Sequence, residues 1–155
     1  MRASVGNGRP LALLLILAAA TLALDQFTKA AAVSHLTPGA SQPLLGSWVR
    51  LTLTHNARSA FGLISSGPLL LAVGIAVCLA LLAYVILGSG LRTHPGHALP
   101  LGLILGGSLG NLLDRIRTEG VIDFVDLRVW PVFNLADVAI TAGFLLLALQ
   151  ILRRS

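Results

Sequence analysis

From Pro68 to Leu87 the chain reads PLLLAVGIAVCLALLAYVIL, 20 residues without a charge. A bilayer core takes about 20 apolar residues per helix, with a range of about 17 to 25, so this stretch reads as a membrane span. Three more runs of the same kind lie on either side of it. Leu11 to Leu24 holds 14 uncharged residues, and reaches 23 if the run continues through Asp25 and Lys29 to Val33. Ala98 to Leu113 gives 16 residues ending at Asp114, and Val132 to Leu152 gives 21 whose only charge is Asp137. The expected fold is an all-α membrane protein, one integral-membrane domain over 1–155. Its four transmembrane helices are placed near 11–33, 68–87, 98–113 and 132–152.

Composition agrees. Of 155 residues 11% are charged, against roughly 25% in soluble domains, and 55% are hydrophobic. Both a water-soluble globule and a disordered chain are excluded. The single cysteine, Cys78, lies inside an apolar run and closes no intrachain disulfide. The net charge of +5 comes from 11 bases against 6 acids, and every base but Lys29 is an arginine. These arginines are scattered over ends and loops with no basic stripe, so no nucleic-acid partner is expected.

The first run has a rival reading. Arg2 and Arg9 before an apolar stretch, with small residues at Ala18 to Ala20 or Ala30 to Ala32, imitate a secretory signal peptide. Against that reading, Asp25 and Lys29 stand four apart on one helical face, where two charges within a span pair with each other. Four spans put both termini on one side, and the charge bias that usually identifies that side is tied. Arg2, Arg9, Arg92, Arg153 and Arg154 stand against Arg50, Arg58, Arg115, Arg117 and Arg128. Termini inside is the expected topology. In the 34–67 connection Trp48 to Thr54 alternates apolar and polar, the period of a half-buried strand. Val121 to Trp130 is a second, less regular extended candidate.

An ionised side chain in mid-membrane costs about 2.5 to 3.5 kcal/mol on insertion scales, so each one marks a candidate site. Asp25 and Lys29 read as a structural or site-supporting ion pair that fixes helix packing, with direct substrate contact as the alternative. Asn56 follows the strand within His55 to Gly62, and its amide suits a peptide backbone because it both donates and accepts. Asn111 and Arg115 share a face four apart. Asp123 precedes the last span, Asp137 lies about one turn inside it, and Asn134 shares the face of Asp137. Two acids at one dry site do not both ionise easily and share a proton, the arrangement by which an aspartic protease activates water. On these residues alone, a pair of structural or cation-coordinating carboxylates is the alternative. No metal-binding histidine pattern, serine elbow or phosphate loop is present, and His94 and His97 fall in a short loop expected to be solvated.

In this order, Asp25-Gln26-x-Thr28-Lys29, Asn56 to Gly62, Gly110-Asn111-x-x-Asp114-Arg115, Val121-Ile122-Asp123-Phe124 and Phe133-Asn134-x-Ala136-Asp137 resemble the motifs of the lipoprotein signal peptidase family, or signal peptidase II. The match runs nearly end to end. The resemblance implies an aspartyl endopeptidase of the bacterial inner membrane that cuts prolipoproteins just before their diacylglyceryl-modified Cys. It implies catalytic residues Asp123 and Asp137, and Asn56, Asn111, Arg115 and Asn134 lining the substrate site. It also implies termini in the cytoplasm, an active site near the extracytoplasmic face, and a small extracytoplasmic β element between helices 1 and 2. Membrane lipid is the medium, a monomer the expected state, and no cofactor or metal is required. Arg58 departs from the pattern, standing where the family usually has Gly. Two other classes remain on the residues alone: a small proton- or cation-coupled transporter with the acids as relay groups, and a four-helix scaffold.

Overall fold

The structure, a computed structural model, describes residues 8–46, 48–56, 67–87, 91, 94–118 and 120–153. Arg58 and the rest of the His55 to Gly62 cluster after Asn56 lie outside the described residues, as do Arg2, Arg92, Glu119 and Arg154. Helix α1 spans Gly8–His35 and α2 spans Gly67–Leu87. A 3-10 turn at Pro95–His97 leads into α3 at Ala98–Thr118, and α4 spans Leu135–Leu152. Among the described residues three helical stretches are long and apolar enough to cross a membrane: Gly8–His35, Pro95–Thr118 and Leu135–Leu152.

Helix α1 runs three residues earlier and two later than the expected 11–33, and two further boundaries differ from the expected spans for physical reasons. The third was expected to stop at Leu113, yet α3 continues through Asp114, Arg115 and Arg117 to Thr118. Charges there do not end the helix because they find partners: Asp114 meets Lys29 at 2.7 Å, and Arg115 donates to the Asn111 carbonyl at 3.2 Å. Thr118 Oγ1 donates to the Asp114 carbonyl at 2.9 Å, serving one of the helix's last free acceptors. The fourth was expected from Val132 but begins at Leu135, where Asn134 caps it.

Helix α3 is sandwiched between α1 and α4 because glycine lines both of its contact faces. A Cβ on Gly106 would meet the Ala18 carbonyl at 2.5 Å and Thr21 Cβ at 2.7 Å, and one on Gly107 would meet the Ala136 carbonyl at 2.6 Å. Small residues allow backbones to approach this closely. The buried stripe of α1 is Leu14, Ala18, Thr21, Asp25, Lys29 and Ala32. Its polar members point inward while Ile16 and Phe27 point outward, Phe27 at 71% exposure. That inversion of the water-soluble pattern suits a hydrocarbon surround.

The extended segments form a three-stranded antiparallel sheet, β1 (Ser41–Leu45), β2 (Val49–Asn56) and β3 (Val121–Asp126), in the order β1-β2-β3. The sheet thus draws its third strand from the α3–α4 connection and is not built only between the first two helices. The strand expected over Trp48 to Thr54 is β2, which leaves out Trp48 and runs on to Asn56, whereas the second candidate stops at Asp126. There Arg128 adopts φ 65° and turns the chain, and Val125 and Phe133 bridge the loop's two ends. Leu51, Leu53, Ile122 and Phe124 pack the sheet on Ala32 and Leu36. His97, expected in a solvated loop, is buried at the start of α3 with Nδ1 3.3 Å from the Tyr84 hydroxyl. The turn packs its ring inward against α2.

Candidate active site

Val121 and Asp123 take the buried positions of β3, alternate residues of one face. Thr54 lies opposite Asp123 in the ladder, so Asn56, two residues on in β2, reaches the same face. Its Nδ2 donates to Asp123 Oδ2 at 3.1 Å, and Asn134 Nδ2 donates to Asp123 Oδ1 at 2.7 Å. Asn134 has this orientation because it caps α4. Its Oδ1 accepts from the Asp137 N–H at 2.9 Å, and Asp137 Oδ2 accepts from the Asn134 N–H at 3.2 Å. This reciprocal box occupies one oxygen of Asp137 and leaves Oδ1 to accept from Asn111 Nδ2 at 2.8 Å. Asn111 Oδ1 in turn accepts from Asn134 Nδ2 at 3.0 Å. Two amides, Asn134 and Asn111, therefore link the two carboxylates.

Both carboxylates line one pocket of ≈ 210 Å³, together with Asn56, Asn111 and Arg115. Asn134 is fully buried and holds the groups that line it. Burial pushes the Asp123 carboxyl up to about 7, with the charge of Asp137 adding to the rise and the amides of Asn56 and Asn134 opposing it. The Arg115 guanidinium interacts with the charges of Asp137, Asp123 and Asp114. The pocket therefore holds two interacting acids, a cation and several amide groups, which suits proton exchange beside a bound peptide group.

Behind the pocket lies a second polar layer. Lys29 Nζ sits 2.8 Å from Asp25 Oδ2, 2.7 Å from Asp114 Oδ2 and 3.0 Å from Asn111 Oδ1. Asp25 Oδ1 accepts from the Ala136 N–H of α4 at 2.9 Å, and Asp114 Oδ2 also accepts from the Ile122 N–H of β3 at 3.2 Å. Asp25 and Lys29 thus tie elements together and do not line the pocket. The sequence reading gave no role to Asp114 or Gln26, whose Nε2 donates to Asp114 Oδ1 at 2.9 Å. It also omitted Ile140 and Thr141, which line the pocket three and four residues after Asp137, a placement that helical spacing predicts. Among the described residues no group of three His, Cys, Asp or Glu is placed to hold a metal ion.

A wider apolar groove of ≈ 400 Å³ adjoins the polar pocket and shares Trp130, Phe133, Asp137 and Thr141 with it, continuing past Val138 and Leu145. Asp25, Lys29, Asp114, Asp123 and Asp137 form one cluster joined through Asn111 and Asn134, and not a series spaced along the helices.

Comparison with known proteins shows which family the chain belongs to. The family described as Signal peptidase (SPase) II matches over residues 17–153. A lipoprotein signal peptidase of Moorella thermoacetica is 43% identical over 138 residues, 89% of this chain and 91% of that protein. One of Chlorobium phaeobacteroides is 41% identical over 144 residues, 84% of this chain and 90% of that protein. A solved bacterial membrane enzyme superposes with a TM-score of 0.83 at 25% identity, covering 90% of this chain and 87% of that one. With a family match over most of its length and relatives above 40% identity, this chain belongs to the signal peptidase II family, and so to the membrane proteases that process lipoproteins.

Proposed function

We propose that the chain is an aspartyl endopeptidase that removes signal peptides from prolipoproteins just before the diacylglyceryl-modified Cys. Asp123 and Asp137 are its catalytic pair. The observation that carries the reading is the pocket itself: two carboxylates linked by amides, one with its pKa near neutrality, beside an apolar groove.

The pair holds one proton. The ionised member takes a proton from water as its oxygen attacks the scissile carbonyl carbon, and the protonated member donates to the carbonyl oxygen. The resulting diol collapses as a proton passes to the amide nitrogen. The C–N bond breaks, leaving a carboxylate on the signal peptide and a free amine on the lipidated Cys. Asn56, Asn111 and Arg115 line the substrate site, where amide and guanidinium groups face the peptide backbone, and Asn134, buried behind them, fixes the acids through its own hydrogen bonds. The groove along α4 takes the apolar part of the substrate, so lipid and signal helix arrive by lateral diffusion.

In this reading α2, a helix of 21 residues, is a fourth span, and residues 1–155 form one integral-membrane domain. The enzyme is a monomer in the bacterial inner membrane, with cytoplasmic termini and its pocket near the extracytoplasmic face. There the sheet meets water and the dyad can be supplied with it.

The test is cleavage by purified protein in detergent, comparing a diacylated substrate with its unmodified twin and wild type with Asp123→Asn and Asp137→Asn. Cleavage that depends on the lipid and falls by orders of magnitude in each variant is expected, with the double variant scarcely worse because the pair acts as a unit. Substantial cleavage by folded Asp137→Asn would defeat the aspartyl mechanism, and equal cleavage of both substrates would defeat lipid recognition.

A further inference from the structure

The terminal amide of Asn111 can face either of two ways, and the outcome matters to Asp137. In the observed orientation Nδ2 donates to Asp137 Oδ1, while Oδ1 accepts from Asn134 Nδ2 and Lys29 Nζ. Turned by half a rotation, the NH2 group would face two donors, and the oxygen would face a carboxylate. Of the two donors, Asn134 is the weaker determinant. Its NH2 carries two hydrogens but lies within bonding distance of three acceptors: Asp123 Oδ1 at 2.7 Å, Asn111 Oδ1 at 3.0 Å and the Ile122 carbonyl at 3.2 Å. It can release Asn111 and stay satisfied. Lys29 cannot turn away so easily, since its three N–H groups meet Asp25 on α1, Asp114 on α3 and Asn111, one each.

We infer that Lys29 is a positioning residue for the proposed reaction: by fixing the amide of Asn111 it keeps a hydrogen-bond donor on Asp137. The inference rests on the aspartyl reading above and adds to it a residue that lies outside the pocket. Charged groups converge on this arrangement from four elements. Asp25 stands on α1, Asp114 and Arg115 on α3, Asp123 on β3 and Asp137 on α4, with Arg117 at the outer end of α3 donating to Gln26.

Lys29→Met alone leaves Asp25 and Asp114 buried without their cation, and such a loss is itself destabilising. The informative variant is therefore Lys29→Met with Asp114→Asn, which keeps the net charge of the cluster. It is compared with wild type, Lys29→Met and Asp114→Asn for folded yield, kcat, KM and the pH dependence of kcat. A hydrogen bond to a charged group predicts a fall in kcat per folded molecule of about ten- to a hundredfold. KM should stay near the wild-type value. The acid limb of the pH–rate profile should move to higher pH, because losing a donor disfavours ionisation of the pair. Asp114→Asn, which retains Lys29 on Asn111, should show the smaller loss and keep the wild-type limb.

A folded double variant with wild-type kcat and an unmoved acid limb overturns the inference. So does loss of folded protein in both Lys29 variants, which assigns Lys29 to the scaffold alone. Asp137→Asn measured in parallel separates the two layers: if it cleaves normally, the aspartyl reading has failed whatever Lys29 does.

Discussion

Asp123 carries a charge that the folded protein resists. Its carboxyl is buried against β2 and α4 and faces Asp137, so its pKa rises from 3.8 to about 7. Between about pH 4 and pH 7 the folded chain therefore holds a proton that the unfolded chain has released. Stability falls as pH rises through that window and levels off above it, by a total of about 4 kcal/mol from this group. Thermal unfolding in detergent across pH 4 to 8 should show the slope in wild type and a flatter curve in Asp123→Asn, whatever the absolute Tm. An unchanged slope would place the titration elsewhere. The prominence of Asp123 and Asp137 was legible because an acid in or beside an apolar run is conspicuous. Asp114 was not, since it stands at the end of a run where a charge meeting water would look the same. Only the fold shows that Asp114 faces Lys29, 85 positions earlier in the chain, and not solvent.

At the scale of elements, α1, α3 and α4 depend on absent side chains as much as on present ones. Gly106→Val should separate α1 from α3, because the nearest obstacles are backbone atoms of Ala18 and the Cβ of Thr21, which cannot rotate aside. Overpacking of this kind costs about 1 to 3 kcal/mol or more. Urea or thermal unfolding should show that loss, and activity should fall with it, since the shift carries Lys29 away from Asn111. A variant as stable as wild type would mean that the helices do not meet at Gly106. The apolar runs made the helices legible, and alternation made β2 legible. The pairing of β3 with β2 was not, because it joins segments about 70 residues apart and no local period records it. The start of α4 was misplaced because hydropathy counts Val132 and Phe133 as span, while the Asn134 and Asp137 capping box decides where the helix begins.

For the whole molecule, the single lysine has a chemical consequence. Amine-acylating reagents attack an unprotonated, accessible ε-amine, and in this chain the only ε-amine belongs to Lys29, 2% exposed and held between two carboxylates. Every other Lys or Arg position in the sequence is an arginine, which such reagents leave alone. The peptide containing Lys29 should therefore stay unlabelled in the folded protein and become labelled once denaturing detergent separates α1 from α3, with the mass of that peptide as the readout. Rapid acylation under native conditions would show that the cluster opens readily. The same residue thus acts as a built-in reporter, allowing the opening of this core to be timed in a crude membrane without purification or an attached dye.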